Sequence, residues 1–405
     1  MNSPAAKQES GSSGSERAPL TELALLFLRL GITAFGGPAA HIAMMQQEVV
    51  DRRRWLAKEE FLDLLGASNL VPGPSSTELA IHIGFRLARW RGLLLAGICF
   101  ILPAFLLVIG IAWAYMRFGR LPQVAGVLYG VKPVVIAIVL QALWNLGRTA
   151  LKTRFLAGVG IVASIVAFLN VSPLLILFGA GGLSGGRHWL TQREKGNAAP
   201  LFWLLCLMTA LVTVPVLFSH QVLYSSVNRT ALFWVFLKFG SVVYGSGYVL
   251  LAFLRADLVA RLHWLTSAQL LDAIAVGQVT PGPVFTTATF IGFVLGGPEG
   301  AVIATLGIFL PAFLFVAMSG PLVKGLRGSP LAGAFLDSVN VASLALMVVV
   351  TWELGRTVLV DPLTFSLALA SALLLMRFRV DSLWLVLGGA GIGFLASFMK
   401  AVGHG

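Results

Sequence analysis

The chain repeats itself at an offset of 209 residues. Gly31 aligns with Gly240, Trp55 with Trp264, Asp63 with Asp272, and Pro72-Gly73-Pro74 with Pro281-Gly282-Pro283. Past that tripeptide the offset becomes 208: IGF at 83–85 meets 291–293, LPAF at 102–105 meets 310–313, and LGRT at 146–149 meets 354–357. Two identical tetrapeptides at one offset mark a tandem duplication, and a repeat of this size dictates the architecture. The first repeat occupies 19–190 and the second 228–405, with a connector at 191–227.

Composition places both copies in a membrane. The chain is 57% hydrophobic and only 11% charged, and its mean hydropathy is +0.87. Soluble domains carry about 25% charged residues. Apolar runs of spanning length recur throughout. They fall at 20–45, 61–90, 93–116, 122–147, 154–170 and 172–185, then at 230–254, 268–293, 299–320, 331–352, 362–376 and 383–400. One unpaired run, 201–219, lies in the connector, giving 13 in all. Residues 1–18 are polar and Ser/Gly-rich without an apolar h-region, which predicts a disordered cytoplasmic tail and no signal peptide.

An odd number of segments separates the repeats, so the second enters the membrane from the opposite side. That is the inverted-repeat plan of secondary transporters, whose sites lie at the midplane between repeats. The net charge of +12 follows the same plan: basic residues sit in short loops, where they orient the chain and do not argue for nucleic acid. With a cytoplasmic N-terminus and every segment crossing, Lys and Arg count 17 inside against 9 outside. The first two segments of each repeat are broken by Gly or Pro. Folding those four back as re-entrant hairpins changes the count to 19 against 7. The expected fold is therefore an all-α polytopic protein of two inverted repeats, with about 13 membrane segments, four of them broken and taken as re-entrant. Full crossing is the alternative.

Three basic residues remain inside apolar runs: Arg29, Lys132 and Lys238. An intramembrane charge is costly and marks a functional site by default. Arg29 and Lys238 are repeat partners, each about 12–14 Å into its segment at about 1.5 Å per residue. They are expected to converge on one central anion, or else to form ion pairs with an acid such as Asp63, Glu78, Asp272 or Asp337. Lys132 precedes Pro133 and has Asn340 as its counterpart.

The breaks supply donors for such an anion. A helix beginning at Pro74 leaves the first amides, those of Ser75, Ser76 and Thr77, without helical acceptors. Amides and dipole together suit an anion. Hydroxyls of Ser75, Ser76, Thr77, Thr286 and Thr287 add to them, and Asn69 and Gln278 stand three residues before each tripeptide. Another helix start is expected after Pro38 in FGGPAAH, whose counterpart YGSG at 244–247 lacks the proline. Glu78 follows the first break and is the candidate proton carrier, with His41 and His82 as lesser candidates. A metal cation fits badly, because carboxylates are few. No Walker A, H-E-x-x-H or G-x-S-x-G pattern occurs, so neither enzyme chemistry nor a cofactor is expected. Cys99 and Cys206 sit in apolar runs and indicate neither disulfide nor metal.

The segments FGGPAAHIAMM, VPGPSSTELAIHIGF and GLLLAGICFILPAF, with VTPGPVFTTATFIGF and GAVIATLGIFLPAF, resemble the CHR family of chromate ion transporters in its long, two-domain form. The resemblance covers roughly 20–400. It implies chromate efflux across the bacterial inner membrane, driven by the proton-motive force and conferring chromate resistance. Family motif residues fall on Gly36, Gly37 and Pro38, on Pro72, Gly73 and Pro74, and on Pro281, Gly282 and Pro283. Chromate, with isosteric sulfate as competitor, is the implied anion. Membrane lipid is the other partner, and a homodimer stays open. Sulfate uptake and an anion channel are the alternatives the residues leave.

Overall fold

The structure, a computed structural model, describes residues 19–34, 37–119, 121–169, 171–191, 227–244, 247–326, 330–378 and 380–402. The tail 1–18, Gly36 and the connector run 201–219 lie outside these residues. Among the described residues the chain is helical, with no strand.

The first repeat runs through α1 (Leu20–Thr33), α2 (Pro38–Gln46, continued by the π-helical turn Gln47–Arg52), α3 (Lys58–Ser68), α4 (Ser75–Phe118), α5 (Pro122–Ala150), α6 (Arg154–Phe168) and α7 (Pro173–Thr191). The second copies it as α8 (Arg229–Val242), α9 (Leu250–Leu254, between the 3₁₀ turn Gly247–Val249 and the π-helical turn Arg255–Arg261), α10 (Ser267–Val279), α11 (Thr287–Leu326), α12 (Pro330–Val358), α13 (Pro362–Leu373, continued by the π-helical turn Leu374–Phe378) and α14 (Ser382–Val402). Five stretches, Ser75–Phe118, Pro122–Ala150, Val284–Met318, Gly333–Val358 and Ser382–Met399, are long and apolar enough to cross a membrane. Each of the broken runs is two helices instead of one. The run 20–45 holds α1 and all but the last residue of α2, and 61–90 holds most of α3 and the start of α4.

The duplication is written in the backbone as well as in the sequence. Left-handed residues come in repeat-related pairs: Arg54 (φ 53°) with His263 (φ 52°), Gly73 (φ 140°) with Gly282 (φ 88°), and Arg89 (φ 53°) with Gly297 (φ 64°). The last pair marks a sharp corner in α4 and α11. There Ala88 (φ −140°) and Gly296 (φ −145°) also leave helical geometry. The chain doubles back at each corner, because Gly84 meets the backbone of Gly92, and Gly292 that of Gly300. Residues eight apart in a straight helix would stand about 12 Å apart. Glycine is required at these contacts, since a Cβ would fall on the facing carbonyl oxygen.

Small residues bring α5 and α14 together in the same manner. Gly126 and Gly130 face Gly389 and Gly393, the close approach of small-xxx-small packing. Around this frame Phe27, Phe61, Phe100, Phe236, Phe239 and Phe290 are fully buried. Leu106, Trp113, Trp144, Phe365, Trp384 and Phe398 are exposed on the outside, as lipid-facing side chains should be.

The corners give a graded prediction. Nothing stands within 4 Å of a Cβ placed on Gly297, so Gly297→Ala meets only the left-handed backbone penalty. It should lower stability by about 1–2 kcal/mol. Gly292→Val meets backbone that cannot move aside and should abolish the folded species. Thermal unfolding in detergent, with size-exclusion profiles, checks the order.

Candidate functional site

The four breaks meet at the centre of the molecule. In the first repeat the tripeptide Pro72-Gly73-Pro74 links α3 to α4, and its only backbone N–H belongs to Gly73. That N–H donates to the carbonyl of Val243, at the end of α8, at 2.7 Å. Gly282 N–H donates reciprocally to the carbonyl of Ala34, at the end of α1, at 3.0 Å. Ala34 and Val243 are themselves repeat partners, so the contacts relate the copies as a two-fold axis would. Proline has no N–H to leave unsatisfied. PGP is thus a break with a single donor, and that donor crosses to the other repeat. The glycine amides are therefore not available to a ligand. Thr77 N–H, expected to be open, donates to Pro74 O at 2.8 Å. In the second repeat Thr286 and Thr287 direct their hydroxyls to Pro283 O and Val284 O, both at 2.8 Å, and are buried. There a 3₁₀ turn, Val284–Thr286, precedes the helix.

Beside these breaks lies a cavity of about 550 Å³. Pro38, Asn69 and Ser75 line it, as does Val249 from the opposite repeat. The remaining wall comes from α5 and α12. Gln141, Asn145 and Thr149 follow at four-residue spacing on α5, and Asp337, Asn340 and Ser343 at three-residue spacing on α12. Each set forms one face of its helix. This spacing in two apolar helices was the signal that could have revealed them from sequence. Among apolar neighbours such as Ile42, Leu146 and Met347, the polar part of the wall is thus carboxamides and hydroxyls, with one ion pair, Lys152 Nζ to Asp337 Oδ1 at 2.8 Å.

The three cations of the apolar runs lie elsewhere, each against a carboxylate. Lys238 Nζ is 2.6 Å from Asp257 Oδ2, with side chains 7% and 11% exposed. Arg29 Nη1 is 3.9 Å from Glu48 Oε1, and the Arg29 side chain is 61% exposed. Glu48 also takes Arg52 at 2.6 Å and Arg53, while Asp257 takes Arg261 at 3.0 Å. Glu48 and Asp257 are repeat partners in the two π-helical turns, and neither was among the acids expected. Arg86 pairs similarly with Glu60. Lys132 joins the repeats: its Nζ is 3.1 Å from Asp272 Oδ1, whose other oxygen accepts from Tyr115 at 3.0 Å.

Glu78 is fully buried, and neither carboxylate oxygen has a partner among the described residues. One oxygen stands where a Cβ on Gly73 would be, so the left-handed glycine makes room for the acid. His82 lies four residues on, on the same face of α4, with Nε2 also unpartnered. His41 is tied at both ring nitrogens, to Ser76 Oγ at 3.2 Å and Ala34 O at 3.1 Å. It fixes the start of α2 against the ends of α1 and the PGP loop. Gln278 lies near the second PGP but does not line the cavity.

Five helices of spanning length, with interrupted segments meeting beside a cavity, are those of a multi-pass membrane protein. The chromate transporter family model matches residues 21–185 and again 230–394. The chain belongs to that family. It is 33% identical over 98% of its length, and 98% of theirs, to the chromate transport protein of Cupriavidus metallidurans. It is 34% identical to the chromate transport protein of Pseudomonas aeruginosa, covering 82% of this chain and 80% of that one. A probable chromate transport protein of Synechococcus elongatus is 32% identical over 86% of this chain and 88% of its own. No solved structure matches.

The buried pair yields a prediction. Asp257→Asn leaves Lys238 buried without its counter-charge and should cost about 3–5 kcal/mol. Adding Lys238→Met should restore most of the loss, as thermal unfolding of the single and double variants would measure.

Proposed function

We propose that the chain exports chromate across the bacterial inner membrane, with the 550 Å³ cavity as its binding site. The observation that carries this is the cavity's position and chemistry. It reaches the breaks of both repeats, and its wall offers carboxamide and hydroxyl donors in a chain related to chromate transport proteins. Asn69, Asn145 and Asn340 present amide N–H groups, and Ser75 and Ser343 present hydroxyls, to the oxygens of a tetrahedral dianion. Lys152, at the edge beside Asp337, attracts the anion without trapping it. Sulfate shares charge and shape with chromate and is the natural competitor.

The same reading makes the broken segments re-entrant. Ion pairs Arg29–Glu48, Lys238–Asp257 and Arg86–Glu60 each join the two arms of a helical pair, which supports a hairpin. Arg29 and Lys238 then serve as clamps holding the tips at the cavity. Re-entrance also gives the better loop-charge balance, placing the N-terminus and the Lys152 end of the cavity in the cytoplasm. Glu78 carries the proton. An ion buried without a partner is strongly disfavoured, so its charge can change only as the site rearranges or a counter-charge arrives. His82, one turn along, is the next station. Downhill proton entry then drives anion exit.

Flux into everted membrane vesicles tests both parts. Asn145→Leu and Asn340→Leu should each lower chromate uptake at least tenfold at unchanged protein level, and wild-type uptake in both would overturn the site. For Glu78→Gln, chromate exchange should persist while uptake ceases to respond to an imposed pH gradient. A retained response would remove Glu78 from the coupling.

A further inference from the structure

A second cavity, of about 510 Å³, lies further along α12. Leu346, Val349, Val350 and Glu353 form one wall, and the π-helical turn after α9 forms another. The repeat relation covers one wall. Val349, Val350 and Glu353 are the counterparts of Gln141, Ala142 and Asn145, which line the first cavity. The two cavities thus share corresponding turns of α5 and α12, while the Arg255–Arg261 wall has no counterpart in the first. What differs is the polar group: where the first offers the amide of Asn145, the second offers the carboxylate of Glu353.

That carboxylate is not alone. Glu353 Oε2 is 2.5 Å from Arg255 Nη1. Asp257 holds Lys238 at 2.6 Å through one oxygen and Arg261 at 3.0 Å through the other. Three basic side chains thus surround two carboxylates. Lys238 and Asp257 are nearly buried, at 7% and 11%. Arg255 and Arg261 reach the cavity, with side chains 22% and 36% exposed, so the groups presented there are guanidiniums. A guanidinium offers a planar fork of donors that matches an oxyanion as it matches a carboxylate.

We infer that the second cavity is a second oxyanion station, at which Arg255 exchanges Glu353 for the transported anion. This rests on the reading of the chain as an oxyanion carrier. The first cavity binds through neutral donors. The second binds through a cation already held by a tethered competitor, so the anion binds weakly and leaves readily. Such a station suits release and carries a distinctive signature: removing the competitor tightens binding, and removing the cation abolishes it.

Equilibrium binding of radiolabelled chromate, with sulfate in parallel, to the full chain in lipid nanodiscs tests this. Wild type should bind two anions per chain with unequal affinities. Arg255→Gln should bind one, at the tighter affinity. Glu353→Gln should bind two, with the weaker site tightened at least fivefold. Asn145→Leu should lose the tighter site and keep the one that depends on Arg255. A single site that Arg255→Gln leaves intact, or a Glu353→Gln chain with wild-type affinities, overturns the second station while the first stands. Absence of any binding to wild type overturns the oxyanion reading itself. Far-ultraviolet circular dichroism and thermal unfolding on the same samples separate a lost site from a lost fold.

Discussion

Two backbone hydrogen bonds hold the centre of this molecule: Gly73 N–H to Val243 O, and Gly282 N–H to Ala34 O. Four chain breaks come together there, and inside a membrane each unsatisfied backbone group costs several kcal/mol. The sequence meets this by making the break from proline, glycine and proline, which carries only one donor. The acceptor it needs is a carbonyl freed where a helix of the other repeat ends. Neither repeat can satisfy its own break in this way, so the copies depend on one another. The left-handed backbone of both glycines follows from turning that single N–H outward across the two-fold.

On this symmetric frame the chemistry is asymmetric. Glu78, buried and unpartnered beside the first PGP, has threonines at the corresponding places near the second, and their hydroxyls are taken by local carbonyls. Lys132, which bridges to Asp272, has as its counterpart Asn340, which faces the first cavity. Asn145 corresponds to Glu353. A carrier with identical halves would hold its ligand equally from either side. In the proposed function these replacements would make the two ends bind unequally, with Glu78 in one repeat and Glu353 in the other.

Much of the frame was legible in the sequence, because duplication preserves identity and because proline and glycine act locally. The repeat and the paired breaks follow from the matched residues along the chain, and Asn69 and Ser75 stand out as polar residues next to the first PGP. The partners of Arg29 and Lys238 did not follow. Depth was counted along straight spanning segments, whereas the helical pairs fold back and bring QEVVDR and RADLVAR beside α1 and α8. Nothing local announces a π-helical turn, and it is that turn which aims Glu48 and Asp257 at the cations. The cavity wall was missed for a different reason. Its polar residues are single substitutions in long apolar helices, visible only as stripes at three- and four-residue spacing.

Pairing Arg29, Lys132 and Lys238 away from the first cavity, where among the described residues only Lys152 stands at the wall, has a physical consequence for the proposed site. Two unit charges 4 Å apart attract by about 4 kcal/mol at an effective dielectric of 20. A dianion facing two bare cations would be held by several such terms, and a carrier must also let go. Lys238 is instead paired with Asp257, and Arg29 stands beside Glu48; in the proposed site the anion would meet neutral amides and hydroxyls, whose hydrogen bonds to a charged acceptor contribute about 1.5–3 kcal/mol each. The surplus of basic residues, three around Glu48 and two around Asp257, then acts at the periphery. Positive charge there raises the local anion concentration without deepening the central well. In the proposed function the net charge of +12 would recruit the anion at the rim, while the PGP breaks and the polar stripes of α5 and α12 would set how firmly it is held.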